Sequence, residues 1–150
     1  MNPTHHLERS RHYLNFVPGN ISAGDYNRAA KALTRAAGHV ATAAAVHWRH
    51  GHHSRRRLTT VLSELVFEGR LAHTHLRTFR DVYQLPQRTA ASTPEVARRL
   101  LRRFRLLVSR MIAAIASAMA GQPNVPTLEQ LIIQTAPAAP AKMPAPPRSR

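Results

Sequence analysis

The sequence predicts an all-α fold, an up-and-down bundle of four to five helices followed by a short C-terminal helix and a disordered tail rich in proline and alanine. Three observations carry this expectation. No segment sustains the period-two alternation of a half-buried strand. Aromatic residues make up only 5% of the chain, and β-branched residues are thinly spread. Apolar residues instead recur at intervals of three and four over long stretches, the signature of a helix with one buried face. With 150 residues, 43% of them hydrophobic, the chain has the material for one core. Composition divides it into an N-terminal helical arm over 1–20, a bundle domain over 21–121, and a segment over 122–150 holding the short helix and a basic tail.

The first helix is expected over 4–16, with Leu7, Tyr13 and Leu14 as its apolar positions and Pro18 and Gly19 ending it. The second opens with Ser22 as cap and Asp25 three residues on, near the positive end of the helix dipole. Tyr26, Ala30, Leu33, Ala37, Val40, Ala44 and Trp48 then fall on one face of a helix of about 24 residues. Its alanines, with Gly38 close by, let a partner backbone approach closely. A turn at Gly51 leads to a third helix that begins near Ser54, buries Leu58, Val61, Leu62 and Leu65, and runs out at Gly69.

A fourth helix over 70–83 aligns Leu71, His75, Leu76, Phe79 and Tyr83, and Pro86 closes it. Residues 84–92 form a polar loop in this expectation. Thr93-Pro94-Glu95 supplies a cap, a proline at the first helical position and an acid in the first turn, the clearest helix start in the chain. The fifth helix runs from there to about Ala120, with Val96, Leu100, Phe104, Leu107, Val108, Met111, Ile112, Ile115 and Met119 inward. Thr127 and Gln130 form a small capping box before Leu131, Ile132 and Ile133, and from Ala136 the composition has no core-forming capacity.

Charge narrows the function. Twenty-two Lys and Arg face seven Asp and Glu, a formal +15, so a polyanion is the expected partner. Twenty of the cations are arginine, a planar fork suited to phosphate. The absence of cysteine excludes disulfides, thiolate metal sites, a cysteine nucleophile and thiol redox chemistry. The seven acids are scattered along the chain and offer no pair for two-metal phosphoryl transfer or glycoside hydrolysis. No transmembrane segment is expected, because apolar stretches such as 111–120 are about half the length that spans a bilayer, and a cytoplasmic location follows as the simplest expectation.

Three constellations stand out. The run over 47–57 places His52, His53, Arg55, Arg56 and Arg57 at a helix start, where backbone N–H groups and arginine forks together make a phosphate site, or simply a solvated basic turn. On the fifth helix, Arg98, Arg102 and Arg105 form one positive ridge and Arg99, Arg103 and Arg110 another, suited to a nucleic-acid backbone, an anionic membrane surface or an acidic protein. Aromatics do not interleave with these arginines as a base-stacking platform requires. Third, Arg70 and His75 pair a guanidinium with an imidazole, the two groups that metal-free phosphodiester cleavage needs, although His75 equally fits a hydrogen-bonded histidine on an inner helix face. Histidines 39, 47, 50, 52, 53, 73 and 75 could converge, but none shows the spacing of a zinc-protease helix, so neither metal nor cofactor is expected.

The run Ala29-Ala30-Lys31-Ala32-Leu33, Ala36-Ala37-Gly38-His39-Val40-Ala41 and Val46-His47-Trp48-Arg49-His50-Gly51-His52-His53, with Leu71-Ala72-His73-Thr74-His75-Leu76-Arg77-Thr78-Phe79 further on, resembles prokaryotic HEPN-type helical-bundle proteins over about 25–83. The resemblance implies a helical bundle, often a homodimer and often a toxin-type partner of a small nucleotidyltransferase. It also implies metal-independent ribonuclease chemistry resting on an Arg, four to six residues, then a His. Arg70 to His75 is the sole match in this chain, and Leu71 stands where the family often carries a polar residue. The expectation is therefore an RNA- or nucleotide-engaging protein with Arg70 as charge stabiliser and His75 as general base. The alternative is a non-catalytic basic scaffold that binds nucleic acid or an acidic protein.

Overall fold

Six helices make up the described part of the chain, residues 2–48 and 54–121 of a computed structural model: α1 Pro3–Ser22, α2 Tyr26–His47, α3 Arg55–Phe67, α4 His73–Val82, α5 Leu85–Ala90 and α6 Pro94–Met119. They form an all-α bundle with one core, and no strand occurs among the described residues. The expected turn at Gly51, the short helix after Pro126 and the basic tail lie outside the described residues.

α2 is the centre. Of its eleven buried residues nine are alanine (Ala29, Ala30, Ala32, Ala36, Ala37, Ala41, Ala43, Ala44 and Ala45), joined by Leu33 and Val40, and the helix touches all five others. Such short side chains bring neighbouring backbones close. Against α1 the approach is close enough for the buried Ser10 hydroxyl to donate to the Ala36 carbonyl at 2.6 Å. Against the end of α4, the Tyr83 hydroxyl lies 3.4 Å from where a Cβ on Gly38 would stand.

α1 is longer than the sequence suggests. Asn2 caps it by accepting from the His5 N–H at 2.8 Å, and Pro18 lies inside it. The proline removes one backbone hydrogen bond, but Val17 and Ile21 on either side of it are buried in the core, and that burial carries the helix past Pro18 and Gly19. The chain turns at Gly24 instead, whose φ of 75° lies in the left-handed region. Ser22 thus ends α1, and the cap of α2 is Asp25, which accepts from the Arg28 N–H at 3.2 Å. α1 is packed along α2 and α6, and its buried Leu7, Val17 and Ile21 belong to the same core as the other helices.

Three further expectations shift. α4 begins at His73, leaving Arg70 and the buried Leu71 in the connection from α3, which turns at Gly69 with φ 76°. Residues 85–90 are the short helix α5, because Pro86 sits in its first turn, where a missing N–H costs nothing, while Leu85 and Thr89 reach the core. α6 starts at the expected cap, with Thr93 Oγ1 accepting from the Val96 N–H at 3.3 Å, but its first turns are rotated by one position. Ala97 and Leu101 are buried, and Val96 is left 42% exposed. Arg98 fixes this rotation by donating to the Tyr26 hydroxyl at 2.7 Å, tying the head of α6 to the head of α2.

If the α1–α2 crossing depends on alanine, a leucine at fully buried Ala36 overpacks it. Ala36→Leu should cost about 1–3 kcal/mol, read as a lower urea midpoint at unchanged slope. An unchanged midpoint would contradict the close approach.

Candidate functional site

Arg102 and Arg105, one turn apart on α6, line a cleft of about 390 Å³ with Pro18, Ile21 and Ser22 of α1. No Asp or Glu lines it. Arg98, expected on the same ridge, is half-buried and held by Tyr26, so it serves the packing of α6 and not this cleft. The second ridge of arginines, Arg99, Arg103 and Arg110, is exposed.

At the head of α3, Ser54 is the cap and accepts from the Arg57 N–H at 3.2 Å, which occupies one of the backbone donors expected for an anion. The three arginine side chains are exposed, and the Arg55 guanidinium lies 4.8 Å from the centre of the Tyr83 ring. Exposed guanidiniums at the positive end of a helix dipole favour an anion there. His52 and His53, expected to complete this site, lie outside the described residues. Among the described residues, no group of three or more His, Asp or Glu side chains is placed to hold a metal ion.

Arg70 and His75 do not share a helix. The Arg70 Nε donates to Glu68 Oε1 at 3.1 Å, and its guanidinium lies 5.7 Å from the Trp48 ring. His75 occupies the first turn of α4 and is half-buried, and that burial lowers its pKa from 6.5. Its imidazole is consequently neutral near pH 7 and able to accept a proton. The buried Leu71 anchors the connection between the two residues.

A second cleft, absent from the sequence expectation, opens between α1 and α2. About 420 Å³ in volume, it is lined by Tyr13, Phe16 and Asn20 of α1 and by Asn27, Arg28, Lys31, Ala32 and Arg35 of α2. Its signal in the sequence is the stripe Asn27, Lys31 and Arg35 at helical spacing, opposite the alanine face. Beside it His39 stacks on Tyr13 at 5.5 Å with 10° between planes and on His6 at 5.5 Å, with the two histidine Nδ1 atoms 3.3 Å apart. Burial first, then the charges of Arg9, His5 and Arg35, pushes the His39 pKa below 6.5.

No helix among the described residues is long and apolar enough to cross a membrane. No protein-family model, curated protein or solved structure matches the chain, so its function is read from the residues and their placement.

His39 and His75 both have folded-state pKa values below 6.5. The unfolded chain therefore binds more protons than the folded one below that pH, and the stability these residues carry is complete above 6.5 and lost as the pH falls. The melting temperature should drop between pH 7.5 and pH 5. In the His39→Gln, His75→Gln double variant the drop should be smaller, and an identical pH profile would refute the assignment.

Proposed function

We propose that this chain is a cytoplasmic, RNA- or nucleotide-engaging helical protein of HEPN type that holds phosphate with arginines. The observation that carries the reading is the cleft in which Arg102 and Arg105 face α1 with no carboxylate along its walls. Each guanidinium there presents a fork of donors to an anion, at no cost of breaking an ion pair across the cleft. The composition points the same way, because seven acids can neutralise at most seven of the 22 cations. The exposed arginines at the head of α3 extend the surface available to a phosphate backbone.

Within this reading His75 is the general base and Arg70 the charge stabiliser of a metal-independent ribonuclease. The neutral, half-buried imidazole of His75 supports the first role. Arg70 is already engaged by Glu68 and must leave that carboxylate to reach a phosphoryl oxygen. This cost favours, as the second reading, a non-catalytic basic scaffold for nucleic acid or an acidic protein. The homodimer and the nucleotidyltransferase partner implied by the resemblance belong to the same proposal, and light scattering of the purified chain tests the first of them.

RNA affinity should fall linearly on a log–log plot against salt, and the Arg102→Ala, Arg105→Ala double variant should flatten that slope by about two. A salt-independent affinity would refute the binding reading. RNA cleavage that persists in EDTA and vanishes in both Arg70→Ala and His75→Ala establishes the enzyme. Cleavage untouched by either substitution leaves the scaffold.

A further inference from the structure

The α1–α2 cleft combines two chemistries that a phosphate backbone alone does not require. One wall is aromatic: Phe16 is 50% exposed, an apolar ring left open to solvent, and Tyr13 lies further along the same helix face. The other wall is cationic, with Arg28, Lys31 and Arg35 from α2. The helices run antiparallel here, since the Ser10 hydroxyl meets Ala36 and the Arg35 guanidinium lies 5.8 Å from the Tyr13 ring centre. In that register Phe16 falls beside Lys31 and Ala32, where the small alanine leaves room over the ring.

No Asp or Glu lines the cleft, and Asp25, which pairs with Arg28 at 3.4 Å, stands at its end as the cap of α2. An occupant that satisfies both walls is flat on one side and anionic on the other. A purely apolar ligand would bring no counterion to Lys31 and Arg35, and inorganic phosphate would leave the phenyl ring wet. A base stacked on an aromatic ring with its phosphate on lysine and arginine satisfies both. Several cations at one place suit a phosphate monoester, which carries close to two charges at neutral pH, better than a singly charged diester.

We propose that this cleft binds a nucleoside 5′-monophosphate group, its base against Phe16 and its phosphate against Lys31 and Arg35, supplied either as a free nucleotide or as the 5′ end of an RNA strand. The proposal deepens the RNA- or nucleotide-engaging reading, and its RNA source rests on that reading. It sits on α1 and α2, apart from Arg102 and Arg105 on α6, so the two are separable by mutation.

The test is calorimetric titration of the full chain with adenosine 5′-monophosphate, adenosine and ribose 5-phosphate, and with one short RNA bearing either a 5′ phosphate or a 5′ hydroxyl. Adenosine 5′-monophosphate should bind at least about tenfold tighter than ribose 5-phosphate, the gain expected of one stacked base, and tighter than adenosine through the charge-assisted contacts of its phosphate. Phe16 and Lys31 are both exposed, so their replacement leaves the fold intact, with far-ultraviolet circular dichroism as the check. Phe16→Ala should reduce the nucleotide to the affinity of ribose 5-phosphate, and Lys31→Ala should reduce it toward that of adenosine. A 5′ phosphate that tightens the RNA, with the gain lost in Phe16→Ala, identifies the strand end as the source. A free nucleotide that binds with no such RNA effect identifies the mononucleotide. Equal affinity for the nucleotide and ribose 5-phosphate, with no effect of the 5′ phosphate, overturns the proposal, and does so without touching the proposed function if RNA still binds through Arg102 and Arg105. Loss of all RNA binding with the nucleotide retained overturns the RNA reading and leaves the cleft assignment standing.

Discussion

The near-complete alanine surface of α2 is the constraint on which the other five helices depend. A helix whose buried positions are mostly a single methyl wide has little to contribute to a core by volume, and its value is the distance it sets. Leu62, Leu65, Leu71, Phe79, Val82, Leu85, Leu101, Met111 and Ile115 supply the bulk from the surrounding helices and connections. Because the large side chains lie on the periphery of α2 and the small ones on α2 itself, a substitution on α2 is felt by several neighbours at once. Dense interiors transmit such strain instead of absorbing it.

The same arrangement sorts the charge. With every helix turning an apolar face toward α2, the cations are left on outer faces and along the seams between helices, where a charged side chain stays wet. A formal +15 on a chain of this size favours expansion through self-repulsion, and the apolar core must outweigh it. Where two seams are both free of acids along their walls, as on either side of the C-terminal half of α1, the positive potential is not cancelled locally. These seams, and not the most arginine-rich stretch of sequence, are where shape and charge coincide.

Much of the fold is legible in the sequence, and the misses have physical causes. Ser54 and Thr93 announce helix starts because capping is a local interaction, settled within three residues. The inner face of α2 is equally plain from its spacing. Pro18 and Pro86 are misread because a proline ends a helix only when nothing beyond it is worth burying, and that depends on partners distant in sequence. Arg70 and His75 both fall within the one helix expected over 70–83, yet the turn at Gly69 and the anchoring of Leu71 delay α4 until His73. The α1–α2 cleft was hidden for another reason. Its rings come from α1 and its cations from α2, brought together across a register that only tertiary packing sets.

The turn at Gly24 has a kinetic meaning as well. α1 and α2 form the most extensive interface in the bundle, and they are joined by only three residues, so their pairing closes a short loop at small entropic cost. Contacts between segments close in sequence form early, and a hairpin of this kind is a natural nucleus for the rest to condense on. The two clefts beside α1 then differ in when they come into being. The aromatic one is complete once the hairpin closes, while the one holding Arg102 and Arg105 waits for α6, from the far end of the bundle sequence, to dock.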